Sequence, residues 1–195
     1  MLHTTFRLIR DAMACRDGYR KLAKYLGGVR KHGGDSPIPL STILKSNGLD
    51  DTLWALRATL PKEAAERDRI ARLFAADCAE HVLDKATEQD RPTLQQSIAV
   101  VRRYAYDQAT AAELAAARAA AGVAAWAAAG AAAWDAAGAA AGVAAWAAAG
   151  NAAWDAARGA AWDAAGNAAW DAERVWQAAR LMHYLQGPGL EAAEA

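Results

Sequence analysis

The decapeptide AGVAAWAAAG occupies Ala121–Gly130 and recurs unchanged at Ala141–Gly150. From Ala111 to Ala172 the chain is almost pure alanine, and its successive Trp residues stand 8 or 12 positions apart. Alanine is the strongest helix former, so this stretch predicts an all-α fold. It carries almost no side chain able to do chemistry, which favours packing or binding over catalysis.

The Trp spacing does not fit a single helix. A step of eight residues leaves a helical side chain about 80° from its starting direction, so the indoles would spiral around one continuous rod. Gly150-Asn151 and Gly166-Asn167 are typical of a helix stop followed by an Asn cap. We therefore expect the Ala/Trp-rich repeat to break at Gly and to form antiparallel packed helices, as a bundle or a short solenoid, with the Trp rings between them.

Residues 1–62 predict a region of short helices. The predicted helices are Thr5–Ala14, Arg16–Leu26, one from Ser41 to about Asn47, and Thr52–Leu60. Ser41 is the expected N-cap of the third helix, and Asp50 or Asp51 that of the fourth. Lys31–Pro39 is predicted to be a loop because it is rich in Gly, Pro and Asp. No stretch of the chain alternates as a β-strand does.

Residues 63–109 predict a pair of amphipathic helices. In the predicted helix Ala64–Lys85, the residues of one face recur at helical spacing. They are Ile70, Leu73, Phe74, Cys78, His81 and Val82. Arg91-Pro92 begins the second helix. A capping box at Thr110–Glu113 then opens the repeat region, residues 110–186. Residues 187–195 are expected to form a flexible tail.

Charge and cysteine content narrow the class of protein. Residues 1–60 hold 10 Lys or Arg and 5 Asp or Glu, a net of +5, whereas residues 121–195 hold 3 and 7, a net of −4. The density of basic residues is below that of a typical nucleic-acid binder, so we do not expect a nucleic-acid partner. No signal peptide and no strongly apolar run of membrane-spanning length is visible. We expect a cytoplasmic protein with two reduced cysteines.

Signatures of metal binding and of catalysis are absent from the sequence, which has no CxxC, HExxH, GxSxG or phosphate-loop motif. We therefore expect no cofactor and no metal. Cys78 and His81 stand three residues apart on a predicted helix and leave one enzyme alternative open, an activated thiol. Simple packing of both side chains is the other interpretation.

Two kinds of candidate binding residue remain. Asp50, Trp54 and Arg57 group polar and aromatic side chains at one turn, although helix capping and core packing explain them equally. The Trp series would pack in a core, or else stack on a nucleotide with Arg158 and Arg174 as cations. Asp135 and Asp163 have no cation at helical spacing, so they face solvent or contact a partner. The candidates are Asp50, Trp54, Arg57, Trp126, Trp134, Asp135, Trp154, Arg158, Asp163 and Arg174.

The segment RLFAADCAEHVL at Arg72–Leu83, followed by Asp90-Arg91-Pro92 and an Ala-rich helical tail, resembles the bacterial immunity-protein-like families. Their members carry a CAExVL helix, a turn with Asp, Arg and Pro, and an Ala-rich end. Most of the chain is also similar to Ala/Trp-rich phage and prophage proteins, with Ala14–Leu22, Pro37–Leu44 and Asn47–Arg57 as shared segments. The resemblance implies a protein that binds and neutralises another macromolecule, and it brings no catalytic residues.

The leading expectation is thus a non-enzymatic helical binding protein whose partner is a toxin or a host defence protein. Two alternatives remain open: a protein that sequesters a signalling nucleotide between Trp rings, and an enzyme that uses Cys78 and His81. We also expect a homo-oligomer, because exposed Trp and Ala faces are complementary to copies of themselves.

Overall fold

The computed structural model of the protein describes residues 1–127 and 167–187, with the backbone alone at residue 85, residues 122–127 and residues 167–170. Over these residues the protein is mostly helical, as the sequence predicts. The helices are α1 Phe6–Asp11, α2 Arg16–Tyr25, α3 Val29–His32, α4 Leu40–Asn47, α5 Leu49–Ala55, α6 Ala64–His81, α7 Arg91–Ala105, α8 Ala111–Ala127 and α9 Asn167–Gln186. Short 3₁₀ turns lie at Leu56–Ala58, Pro61–Glu63 and Leu83–Lys85.

The chain forms two compact units. The first consists of Met1–Arg67 with Ala178–Ala195, and the second of Asp68–Gln177. The predicted helix breaks at Gly150 and Gly166 and the packing of the repeat Trp rings lie outside the described residues. Within the described part of the chain, no helix combines the length and the apolar character needed to cross a membrane.

A small antiparallel sheet, which the sequence does not predict, organises the first unit. Strand β1, His3–Thr4, pairs with strand β2, Ile38–Pro39, and Thr4 stands opposite Ile38. The expected loop Lys31–Pro39 therefore contains the end of α3 and a strand. Strands of two residues are too short to show an alternating pattern, and tertiary contact sets their pairing.

Backbone geometry decides where the helices of the first unit begin and end. The Thr5 hydroxyl accepts a hydrogen bond from the amide of Leu8 and caps α1. Helix α2 ends at Tyr25, one residue before the predicted end at Leu26, and Gly27 follows with φ of +77°. Helix α4 ends at Gly48, as predicted, where φ is +99°. Glycine tolerates this left-handed region without steric cost.

Two predicted N-caps are wrong, Ser41 for one helix and Asp50 or Asp51 for the next. Helix α4 begins at Leu40 directly after Pro39, so Ser41 lies within its first turn. Helix α5 begins at Leu49 after Gly48, so Asp50 and Asp51 also lie in a first turn and not before it. Acidic side chains are still favourable there, because the helix dipole places positive charge at that end.

The second unit is built on α7 and the helices around it. Ile70, Leu73, Phe74 and Cys78 of α6 are buried, as their spacing predicts, but α6 ends at His81, which is exposed. Helix α7 buries Leu94, Ile98 and Val101 among others. Helix α8 packs on α7 through small side chains, since Ala117 and Ala121 are its buried alanines in the region where side chains are described.

The capping box at the start of α8 is confirmed. The Glu113 amide donates to the Thr110 hydroxyl at 3.2 Å, and the Thr110 amide donates to Glu113 Oε2 at 2.7 Å. These bonds lower the pKa of the Glu113 carboxyl, chiefly through the backbone amide and the hydroxyl of Thr110 and to a smaller extent through Arg103.

Candidate functional site

Three candidate residues of the first unit form what we call the α5 face: Asp50 and Trp54 lie on α5, and Arg57 lies in the 3₁₀ turn directly after it. Leu53 and Ala55 are buried against the core, whereas Asp50 and Arg57 are exposed. Trp54 is half-buried and packs on the hydrophobic cluster that includes Phe6, Ile9, Leu22, Ile38 and Ile43. The Arg57 guanidinium carbon lies 5.2 Å from the centroid of the Trp54 ring, which is cation–π distance. The indole thus contacts both the hydrophobic cluster and the guanidinium.

Asn47 links this face to helix α2. Its amide nitrogen donates to the Gly18 carbonyl at 2.8 Å and to Asp51 Oδ2 at 2.7 Å. The Ser46 hydroxyl donates to Asn47 Oδ1, and the Lys21 ammonium donates to the Asn47 carbonyl at 3.3 Å. A Cβ at Gly18 would lie 2.8 Å from the same Asp51 oxygen. Helix α2 therefore approaches α5 closely because residue 18 has no side chain.

Arg102 forms a partly buried charge cluster in the second unit. It donates to Asp77 Oδ1 at 2.7 Å, and to Glu80 through two bonds of 3.0 and 2.6 Å. Asp77 is buried, whereas the Glu80 side chain is 54% exposed. The hydrogen bond with Glu80, then those with Asp77, raise the pKa of Arg102 above its ordinary value against the opposing effect of burial. Since Arg102 stays charged at any ordinary pH, the cluster joins α6 to α7.

His81 contacts the start of the described part of α9. Its Nδ1 lies 3.6 Å from Oε2 of the buried Glu173, and its ring meets the Trp176 ring edge-on with centroids 3.8 Å apart. Gln177, which is fully buried, donates to Glu173 Oε1 at 2.9 Å. Arg174 donates to Gln177 Oε1 at 3.3 Å, so this candidate binding residue takes part in a polar network within its own helix.

Cys78 does not form the open site that the enzyme alternative needs. The thiol lies in the core of the second unit and is fully buried, whereas a catalytic thiolate must be reached by its substrate. The imidazole of His81 is engaged by Glu173 and Trp176, as described above. Among the described residues, no group of three or more His, Cys, Asp and Glu side chains could hold a metal ion.

Most predicted site residues of the repeat lie outside the described side chains; these are Trp126, Trp134, Asp135, Trp154, Arg158 and Asp163. The sequence alone does not indicate the roles of Asn47, Gly18 and Arg102. The Asn47-Gly48 pair signalled a helix end, but nothing in the sequence indicated that the Asn47 amide would bridge two other helices. Comparison of the chain with models of known families, with curated proteins and with solved structures finds no match.

Proposed function

We propose that this protein is a non-enzymatic helical binding protein that neutralises a macromolecular partner, and that the partner docks on the α5 face of Asp50, Trp54 and Arg57. The resemblance to immunity-protein-like and phage proteins favours a toxin or a host defence protein as that partner. The proposal rests mainly on one observation, the half-buried Trp54 ring that contacts both the hydrophobic cluster and the Arg57 guanidinium.

The physical reason is that Trp and Arg contribute most to protein–protein affinity when they are held in place before binding. A side chain that is already ordered loses little conformational entropy when a partner covers it. Trp54 is anchored by the core, and α5 is in turn fixed by the Asn47 bonds to Gly18 and Asp51. The α5 face thus offers an ordered aromatic surface with a polar edge, as the centre and rim of an interface require.

The nucleotide alternative depends on a groove lined by the repeat Trp rings. Those rings lie outside the described side chains, and no described residue favours the alternative over protein binding. It enters the test below as a separate outcome.

The docking face is tested by site-specific crosslinking followed by reconstitution. A photo-reactive phenylalanine derivative at the exposed position 50, which leaves the Trp54–Arg57 contact intact, captures proteins from a bacterial lysate. Each captured protein is purified and titrated against the wild-type chain by calorimetry. We expect one protein to bind, and Trp54→Ala to weaken its binding by roughly 30-fold or more, the loss typical of a dominant interface residue. The matched control, Lys45→Ala, removes an exposed side chain of the same unit and should leave the affinity unchanged.

Neutralisation needs its own measurement, which is the activity of the captured partner with and without a saturating amount of this protein. Loss of activity with wild-type protein, and its recovery with Trp54→Ala, is the expected result. Equal affinity of wild type and Trp54→Ala would exclude this face. Binding of a nucleotide, in place of any protein, would support the sequestering alternative and overturn the proposal.

A further inference from the structure

The positive charge of the first unit is concentrated in one short segment. Residues 1–67 contain 12 Lys or Arg and 7 Asp or Glu, a net of +5. Residues 16–31 alone contain 6 and 1, also a net of +5. The rest of the stretch is therefore neutral, with 6 of each sign. The net positive charge of the first 67 residues therefore lies within the segment that forms α2 and α3.

Helix α2 presents these cations on its solvent face. Arg16, Arg20 and Lys24 recur every four residues and are all exposed, which spaces them by about 6 Å along the helix axis. Arg30 on α3 is exposed as well. None of these four side chains has an ion pair or hydrogen bond with any described residue, whereas Arg7 and Arg10 on α1 pair with Asp35 and Asp11.

The opposite face of α2 is already used. Leu22 is buried, and Tyr19, Ala23 and Leu26 pack against the hydrophobic cluster. The helix thus has no apolar face left to insert into a lipid surface, which a membrane-binding helix requires. The solvent face also has no apolar centre of the kind that protein–protein interfaces bury, apart from Tyr25 at its edge.

We propose that the solvent face of α2, together with Arg30 of α3, binds the phosphate backbone of a nucleic acid without reading its sequence. Such interfaces are polar and strongly positive, and they depend on Arg and Lys side chains that neutralise phosphates. The exposed Tyr25 side chain, at 57% exposure, lies at the end of the same helix, where its hydroxyl can donate to a phosphate oxygen. This activity is independent of the α5 docking face and differs from the expectation of no nucleic-acid partner, which was drawn from the average charge of the chain.

The experiment is fluorescence anisotropy of a labelled DNA duplex of about 20 base pairs, titrated with the full chain at several salt concentrations. Four phosphate contacts predict a slope of log K against log[salt] of about −3.6, at about 0.9 per contact. The affinity should therefore fall roughly 150-fold between about 50 and 200 mM salt. The triple variant Arg16→Ala/Arg20→Ala/Lys24→Ala should bind more weakly, with a slope of about −0.9.

A second triple variant separates the α2 face from net charge. It is Lys45→Ala/Lys62→Ala/Arg118→Ala, which removes three exposed cations from elsewhere in the described chain. Because the change in charge is the same, it should keep the wild-type slope if α2 is the contact surface. Circular dichroism and melting temperature establish that both variants are folded.

Two further probes distinguish other polyanions. A polyglutamate peptide of matched charge should bind at least ten-fold more weakly than DNA, because its charges are less dense along the chain. Vesicles that contain phosphatidylserine should bind no better than neutral ones. The proposal is overturned if the duplex does not bind at about 50 mM salt, or if the two triple variants lose affinity equally. Equal binding of polyglutamate would reassign the face to an acidic protein, and preference for the vesicles would reassign it to a membrane.

Discussion

Replacing Arg102 with Met tests whether the charge cluster in the second unit stabilises the contact between α6 and α7. The substitution keeps an unbranched side chain of similar length and removes only the guanidinium. Asp77, whose side chain is 7% exposed, then loses a charge-assisted hydrogen bond of 2.7 Å. Glu80 loses two bonds, but its side chain is 54% exposed and water can replace them.

The expected cost follows from these two exposures. A hydrogen bond to a buried charged group contributes about 1.5–3 kcal/mol, and breaking a fully buried ion pair costs about 3–5 kcal/mol. Because the Arg102 side chain is 34% exposed, the lower range applies to the loss of its hydrogen bond with Asp77. Losing the two bonds to the exposed Glu80 costs about 0–1 kcal/mol. We expect Arg102→Met to reduce the free energy of local unfolding by about 1.5–4 kcal/mol.

The assay is hydrogen–deuterium exchange of peptides from α6 and α7, which reports the local unfolding free energy of this pair of helices. The matched control is Arg103→Met on the adjacent residue. Arg103 pairs with Glu113, and both side chains are more than 40% exposed, so the loss should be much smaller. The double variant Arg102→Met/Asp77→Asn should cost less than the sum of the single changes, by about 1–3 kcal/mol. Equal losses for Arg102→Met and Arg103→Met would refute the reasoning.

Two further predictions concern the capping box and the Asn47 network. The pKa of Glu113 is lowered in the folded state, so its stabilisation is present above the ordinary carboxyl pKa and is lost as the pH falls through the lowered value. NMR shifts of the first turn of α8 should therefore differ between wild type and Glu113→Gln at neutral pH and converge in acid; a constant difference would contradict this. Asn47→Ala should lower the local unfolding free energy by about 1–2 kcal/mol, measured by hydrogen exchange of α2 and α5 peptides. The control Ser46→Ala should lower it clearly less. Equal losses would show that the Asn47 bonds to Gly18 and Asp51 contribute nothing.

The parts of the fold that the sequence predicts are those set by neighbouring residues. The buried side of α6 follows from apolar residues at helical spacing, and α7 begins at Arg91-Pro92 as expected. The Thr110–Glu113 capping box needs only two side chains three positions apart, and it forms as predicted. In each case the interaction lies within one or two turns of helix.

The wrong predictions share a different cause. Ser41, Asp50 and Asp51 are good capping residue types, but a cap also needs the helix to begin directly after it. Pro39 and Gly48 provide those starts instead. Asp51 then accepts a hydrogen bond from Asn47, which also reaches Gly18 on another helix. The position at which each helix begins, and the partner that Asp51 takes, depend on tertiary packing, and no local sequence pattern predicts them.

The candidate site was predictable to a similar degree. Trp54 and Arg57 stand three residues apart, so their stacking follows from helical spacing. His81 and Cys78 have the same spacing, yet one is exposed and the other buried, and His81 contacts Glu173 and Trp176 instead. Spacing shows which side chains share a helix face, but the burial of that face decides whether they form a site.

In helix α8, a described part of the Ala-rich segment, the buried alanines pack on another helix. Ala117 and Ala121 are buried on α7, and the Ser97 hydroxyl donates to the Ala117 carbonyl at 3.1 Å. Alanine buries little apolar area, so this contact alone stabilises the helix weakly. High intrinsic propensity and the Thr110–Glu113 cap supply the rest, since an isolated helix of this length is only marginally stable in water. Among the described residues, the side chains that we propose for recognition lie on α2, on α3, on α5 and in the turn after α5, and not on α8.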